Sequence, residues 1–581
     1  MPRLSRVMRW AVGPCLALNM LSVGATVGKA KLTAAAAELC NAPLGATLLQ
    51  ANDLKLPAEA IWQNRSEIFV PGIKSQDATK WFLTSSMHGT LRIQMGQELT
   101  GADTSIALTI KGPQLLEVAG LTEAALKKLH TTQTALVQVD AQGRVLKATR
   151  LQAAKALDDL FGNAAVKHTL GAQFATSKIW KANSQASFAL WAPTARAVSV
   201  CIYPDAQAPA VGYAKLNRDN ASGVWQSVKA LAKQGSYYRF AVEVFVPGVG
   251  WVINHVNDPY AVSLSANSLR SYVADLNAPK LKPAGWDKHR APQTVKHPTD
   301  MVIYELHVRD FSINDLSVPT ELRGKYLAFT QNSSQGMKHL QELAKAGMTD
   351  LHLLPVFDLA TVPEKNCQSD PRSDKTTRAN DCFNWGYDPL HFNAPEGSYA
   401  TDAEDGAKRI LEFRRMVKAL HEAGWRVGMD MVYNHTSASG QHVQSVLDRI
   451  VPGYYHRLNA KGEVERSTCC DNTATENRMM AKLMSDSILL WTQHYKLDSY
   501  RFDLMGHQPK DVMLAMQNRL QKTLKKRVDF VGEGWNFGEV ANGARFVQAS
   551  QLSLNGTGIG TFNDRLRDAI RGGGAGDSVE N

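Results

Sequence analysis

Apolar positions along this chain follow three rhythms in succession. From about residue 41 to 165 they come in short β-like bursts: IFV at 68–70, TLRIQM at 90–95, TSIALTIKG at 104–112, and VQVDAQGRVLKA at 137–148, where two strands are predicted around an Ala-Gln-Gly turn. From about 170 to 290 the period is two: Phe188 with Leu190, then Val198, Val200 and Ile202, and later Tyr238, Phe240, Val242, Val244 and Val246. Such alternation predicts a half-buried antiparallel sheet, best placed in a sandwich.

After His297-Pro298 short apolar strands alternate with amphipathic helices, the grammar of repeated βα units around a parallel sheet. MVIYELHV (301–308) is the first predicted strand. A helix marked by Met337, Leu340 and Leu343 closes at Gly347, and TDLHLLPV (349–356) is the second strand. A long insertion follows. A helix striped by Ile410, Phe413, Val417 and Leu420 ends at Gly424 before WRVGMDMV (425–432). Met480, Leu483 and Trp491 mark the helix before LDSYRF (497–502); Met513, Met516, Leu520 and Leu524 mark the one before VDFVGE (528–533). The expected fold class is α/β, with five βα units preceded by antiparallel β-sandwich domains. The expected segments are 1–30, 41–165, 170–290 and 296–581. There is no internal repeat, low-complexity tail or long Pro/Ser linker, so these domains are expected to pack closely.

Composition narrows the class. With 581 residues, 44% of them apolar and 20% charged, the chain is long enough for about four globular domains and is neither disordered nor fibrous. The net charge is +11, but four of those charges, Arg3, Arg6, Arg9 and Lys29, lie in an acid-free first thirty residues. The rest of the basic excess is thinly spread, without a Lys/Arg cluster interleaved with aromatics, so no nucleic-acid partner is expected.

The amino terminus has a basic start, an uncharged run over 10–28 and small residues, Gly28 and Ala30, that could flank a cleavage point. A secretory signal peptide is the expected reading, ahead of a membrane anchor, because Pro14, Asn19 and several Gly and Ser make a poor membrane span. A lipoprotein signal fits less well, since neither Cys15 nor Cys40 follows a small residue. The protein is expected to be exported, periplasmic or extracellular, and free of the membrane once the signal is removed; its oligomeric state is left open. Seven cysteines suit local staples. Cys367 and Cys382 could close a polar loop. The adjacent Cys469 and Cys470 form either a vicinal disulfide or two free thiols, and Cys201, inside an alternating strand, is expected to be a small buried hydrophobe. No zinc spacing occurs, and no metal ligands are assigned.

The chemistry converges on strand ends. Asp430, Asp503 and Glu533 fall at the carboxyl ends of the third, fourth and fifth predicted strands, the rim where barrel active sites are built. Asp503 and Glu533 are one strand-helix-strand unit apart, so a closed barrel would set them on neighbouring strands over one cleft, as glycoside hydrolysis requires. Any one of these acids could equally cap a helix; three in register with aromatics nearby argue against that for the set. Arg501 lies two residues before Asp503, on the same strand face, where a guanidinium would orient the carboxylate and hold it ionised. His435, with Asn434, and His507 offer neutral hydrogen bonding to sugar hydroxyls, although a single His is more often structural. FNWGYDP (383–389) puts Trp385 and Tyr387 beside Asp388, aromatic faces for glucose rings next to a carboxylate for hydroxyls. Its plainer reading is a Gly-Pro turn with buried aromatics.

These residues resemble a known family. DMVYNH (430–435), YRFDLMGH (500–507) and VGEGWNFG (531–538) are similar to ordered sequence regions of the alpha-amylase superfamily. FNWGYDP resembles the loop that marks pullulanases and limit dextrinases, which usually begin it with Tyr where this chain has Phe383. FALWAPTARAVSVCIY (188–203) resembles the start of the starch-binding-like sandwich that precedes the barrel in those debranching enzymes.

The resemblance implies a (β/α)8-type barrel and a retaining hydrolase of α-1,6-glucosidic branch points in pullulan, amylopectin or glycogen limit dextrins. Asp503 would be its nucleophile and Glu533 its general acid/base. Tyr387, Asp388, Trp385, Asp430, His435, Arg501 and His507 would bind the α-glucan substrate. No cofactor is implied as required; calcium is common in the superfamily, with Asn434 at a position that ligates it in some members. Family members continue to further barrel strands, a third acidic residue and a carboxyl-terminal β domain. The chain is therefore expected to be a fragment or the product of an interrupted gene. The alternatives are a chain that only binds α-glucans without turnover, and a related transfer reaction that builds branches.

Overall fold

The computed structural model describes residues 32–73, 79–175, 184–365 and 384–574. The proposed signal segment and the Cys367–Cys382 staple lie outside them. In the first β region eight strands form one sheet whose two ends are Val145–Thr149 and Leu151–Gln152. One residue separates those end strands, so the sheet curls round until its edges approach. The predicted hairpin is present: Gln133–Val139 pairs with Val145–Thr149 across a turn in which the Asp140 carboxylate accepts the amides of Gln142 and Arg144. TLRIQM is a correction to the sequence reading, since it contributes only an isolated bridge from Arg92 to Thr100. Its alternation is real, but no strand lies alongside to complete a ladder.

The sandwich follows. One sheet runs in the order Gly45–Ala51, Gly250–Val256, Tyr237–Val246, Ala197–Tyr203 and Gly212–Lys215; the other is built on Gly171–Phe174, Gln185–Trp191 and Val224–Gln226. Two features depart from expectation. Gly45–Ala51, expected in the preceding β region, pairs antiparallel with Gly250–Val256. And the central strands are buried on both faces, because the segment beginning at Ala34–Asn41 covers the outer one. There Arg239, 7% exposed, donates to the carbonyls of Cys40 and Ala42. Cys201 is buried as expected but is not a free thiol: it forms a disulfide with Cys40, 161 residues away, so this staple is long-range rather than local.

The third region is a parallel sheet of neighbouring strands β1 (Ile303–Leu306), β2 (Asp350–Leu353), β3 (Arg426–Met431), β4 (Ser499–Phe502), β5 (Asp529–Gly532) and β6 (Gly560–Thr561). The five strands read from the sequence are all present, and β6, only two residues long, carries too little pattern to be read. Helices α1 (Gln335–Lys345), α2 (Gly406–Glu422), α3 (Arg478–Tyr495), α4 (Lys510–Leu524) and α5 (Asp564–Arg571) follow in chain order. Their apolar stripes pack on the sheet: Met337 and Leu340 from α1, Ile410, Phe413, Val417 and Leu420 from α2, and Met480, Leu483 and Trp491 from α3 are all buried. Trp491 also donates its indole N–H to the Phe392 carbonyl at 2.8 Å. Domain packing is tight. The buried guanidinium of Arg414 on α2 donates to the carbonyls of Leu276 and Leu281, in the segment joining sandwich to barrel, and to that of His494.

No helix among the described residues is long and apolar enough to cross a membrane.

Candidate active site

Strand register brings the acids together. Asp430 on β3 is paired with Arg501 on β4, and Phe502 on β4 with Gly532 on β5. The next residue on each strand is Asp503 and Glu533, so parallel pairing alone sets these two side by side on the carboxyl rim. The ladder continues through them: Asp503 N–H donates to the Met431 carbonyl and Glu533 N–H to that of Phe502, both at 3.1 Å.

Arg501 ties three carboxylates to one guanidinium. Its Nη1 lies 2.6 Å from Asp430 Oδ2 and 3.2 Å from Asp503 Oδ1, while Nη2 lies 2.9 Å from Glu533 Oε1. Tyr387 O–H donates to the same Asp430 oxygen at 2.6 Å, and Glu533 Oε2 accepts the Leu504 amide at 3.0 Å. Leu504 pays for that contact with a left-handed backbone, φ 39° and ψ 49°. The β4 and β5 loops touch at Gly506, where an added Cβ would lie 2.0 Å from the Trp535 carbonyl oxygen, so only glycine lets the Glu533 loop close in.

Burial dominates the electrostatics. It raises Asp503 to about 6, against the pull of Arg501 and with a push from the Glu533 charge, and raises Asp430 to about 7. The buried carboxylates of Asp430 and Asp503 thus hold protons far more readily than free ones. His435 is lowered by burial and stays neutral. Its Nε2 lies 2.8 Å from the Tyr387 carbonyl and its Nδ1 3.0 Å from the Asn434 amide nitrogen, which assigns the proton to Nε2.

Not every expected residue joins the cluster. Tyr387, Asp430, His435, Arg501, Asp503 and Glu533 converge. Trp385 stands at the mouth, 64% exposed, free to stack. Asp388 turns its Oδ2 to the amide and hydroxyl of Thr361, which fastens the loop, while its other oxygen is buried without a partner among the described residues. His507 is 1% exposed behind the rim, lowered to about 4 by burial, with Nε2 3.1 Å from Ser467 Oγ.

The sequence does not place two features at this site: His307, and the Cys469–Cys470 pair, whose disulfide is one of the two states it leaves open. His307, directly after β1, lies with Nε2 2.7 Å from the Asn384 carbonyl and so anchors the Trp385 loop; its position at a strand end was the available signal. Cys469 and Cys470 are joined as a vicinal disulfide, and Cys469 Sγ comes within 3.5 Å of His435 Nε2. Only the folding of the loop after β3 back over the rim brings them there.

Two groups of three ligating side chains occur among the described residues, and neither suits calcium. His435 with Cys469 and Cys470 offers nitrogen and sulfur where calcium takes oxygen. Asp358, Glu364 and Glu396 already surround a cation, the guanidinium of Arg409.

Comparison with known proteins shows what the chain as a whole resembles. The Pullulanase N2 domain matches residues 57–159, and carbohydrate-binding module 48 (isoamylase N-terminal domain) matches 169–261. A pullulanase of Klebsiella pneumoniae is 39% identical over 588 residues, covering 90% of this chain and 52% of that one. The chloroplastic pullulanase 1 of Arabidopsis thaliana is 43% identical, covering 77% of this chain and 48% of its own. The crystal structure of a maltotriose complex of a Klebsiella pneumoniae pullulanase superposes with a TM-score of 0.82 at 37% identity, covering 90% of this chain and 62% of that one. The chain spans about half the length of the curated relatives it matches. Its parallel sheet and preceding β domains fit an amylase-type barrel with N-terminal domains. By sequence and by fold, the chain belongs to the pullulanase family.

Proposed function

We propose that this chain carries the reacting pair of a debranching glycoside hydrolase that cleaves α-1,6-glucosidic linkages in pullulan, amylopectin or glycogen limit dextrins. The observation that carries the proposal is the single guanidinium of Arg501 bridging Asp430, Asp503 and Glu533 at the barrel rim.

In a retaining mechanism Glu533 protonates the oxygen of the leaving glucan while Asp503 attacks the anomeric carbon, forming a glucosyl ester; Glu533 then takes a proton from the water that releases it. Arg501 keeps the attacking carboxylate oriented and favours its ionised form against the cost of burial. Tyr387 and Asp430, bonded to each other, set one wall of the subsite for the reacting sugar, with His435 holding the Tyr387 backbone. Trp385 offers a stacking face to the bound glucan. The maltotriose held by a relative supports an α-glucan ligand. Calcium enters no step.

We also place the protein outside the cytoplasm, with residues 1–30 as the secretory signal. The Cys40–Cys201 and Cys469–Cys470 disulfides support an oxidising compartment.

The test is reducing-sugar release from pullulan, with product sizing, by this chain and by a form extended to the length of its curated relatives. Maltotriose is the expected product, and Asp503→Asn abolishes it. Cleavage that survives this substitution, or products from α-1,4 scission alone, refutes the assignment.

A further inference from the structure

Part of the basic excess that looks dilute in the sequence gathers at one place in the fold. A cavity of about 550 Å³ lies at the amino-terminal end of the barrel strands, the end opposite the carboxylate site, where Arg426 opens β3 and Asp529 opens β5. Its walls are the 289–295 segment entering the barrel and the carboxyl-terminal turns of α3 and α4. Six cationic side chains line it: Arg290, Arg426, Lys496, Lys525, Lys526 and Arg527.

Among the described residues, only Asp498 and Asp529 line it as acids. Both are spent. Asp529 takes Arg426 Nη2 at 2.6 Å and Arg527 Nε at 2.7 Å; Asp498 takes Lys526 Nζ at 2.6 Å, His421 Nε2 at 3.0 Å and the Val427 amide at 3.0 Å. Asp350 lies behind Arg426, 3.4 Å away, and contributes to no other cation of the cavity.

Three cations are left without a carboxylate among the described residues. Arg290 donates to the carbonyls of Asp287 and His289, and Lys496 to that of His289 at 2.8 Å. Lys525 is exposed at the left-handed end of α4, φ 51°. The ends of α3 and α4 supply about half a negative charge each, which explains one lysine apiece but not the remainder. The strain of this arrangement is visible at Lys496, whose pKa is lowered first by burial and next by the charge of Arg290.

A concave, positively charged site with fork-shaped and point-charge donors recognises phosphate: guanidinium pairs bidentately with its oxygens, and lysine adds flexible charge. One phosphate would leave most of the cavity empty and some of the charge unmatched. We propose that this cavity binds a diphosphate group, free or at the charged end of a soluble metabolite.

The test is titration calorimetry of the whole chain with inorganic pyrophosphate at low ionic strength, beside orthophosphate and beside vesicles containing phosphatidic acid. Pyrophosphate is expected to bind at least tenfold more tightly than orthophosphate and to weaken as salt is raised. The triple variant Arg290→Gln, Lys496→Gln, Lys525→Gln is expected to lose at least tenfold in affinity. Lys525→Gln alone, on an exposed side chain that carries no part of the fold, is expected to lose about threefold. Unchanged thermal unfolding and unchanged α-glucan binding in affinity electrophoresis separate this loss from general damage. Absence of pyrophosphate binding, equal binding by the triple variant, or binding to vesicles only would each overturn the proposal.

Discussion

Two arginines in this protein each gather three carboxylates, and their surroundings could hardly differ more. Arg409 on α2 is fully buried, with Asp358 at 3.4 Å, Glu364 at 2.5 Å and Glu396 close by. Every acid there is answered from within: Ser268 and His391 bond Asp358, the amides of Asn267 and Gly397 bond Glu364, and those of Leu359 and Ser398 bond Glu396. Burial, then the neighbouring Glu364 charge, raises Glu396 far above its ordinary range, so it holds a proton. The cluster knits the sandwich-barrel segment, the β2 loop and α2 into one unit. Arg501 makes the same kind of contacts, yet its side chain and that of Glu533 remain 12% and 21% exposed. The lesson is that access, rather than ion chemistry, separates a structural lock from a reactive site: a closed network spends its donors on itself, and an open one keeps some for a ligand.

That contrast can be broken or sharpened by experiment. The largest effect is expected at the reacting pair: Asp503→Asn or Glu533→Gln lowers pullulan hydrolysis by about 10⁴-fold or more, in reducing-sugar assays, while the protein stays folded. Next comes Arg409→Met, which strands buried carboxylates and costs about 3–5 kcal/mol of stability, read as a large fall in the denaturant midpoint. Arg501→Met is expected to remove activity with a smaller loss of stability; if its cost equals that of Arg409→Met, the distinction between lock and site collapses.

Asp503 sharpens the point through pH. Its folded value of about 6 exceeds the ordinary aspartate value of 3.8, so between those two values the folded state holds the proton that the unfolded chain has lost. Stability therefore falls as pH rises from about 4 to about 6, and Asp503→Asn is expected to raise stability at pH 7 by about 3 kcal/mol. The acid limb of kcat/KM is expected near pH 6, because the nucleophile must be ionised in the free enzyme. A limb near pH 4 would show Asp503 to be better solvated than its burial implies. The smallest effect belongs to the mouth of the cleft: Trp385→Ala is expected to raise KM by about tenfold, the loss of one stacking face, with kcat little changed.

Much of this was legible in the chain. Asp430, Asp503 and Glu533 each sit at the end of an apolar strand, and parallel pairing has few ways to place such residues except on one rim. Arg501 was readable from the two-residue strand period. The failures are equally instructive. TLRIQM alternates like a strand but finds no partner, and Gly45–Ala51 pairs with a strand about 200 residues later in the chain. Cys201 reads as a small buried hydrophobe in the sequence because Cys40, in a different segment, gives no local sign of its approach. His507 matched a motif beside the site yet lies behind it, since the turn after β4 carries it under the loop holding Ser467.

What the sequence determined by itself is everything governed by short-range periodicity: the strands, the helices between them, and the acids at strand ends. What only the tertiary structure decided is which charges meet and which of them water can reach. Arg409 and Arg501 are indistinguishable as residue types, and the cations at 290, 426, 496 and 525–527 are scattered along more than two hundred residues. Coulomb energy and desolvation depend on distance and burial in space, and the chain acquires those only when the βα units close on one another.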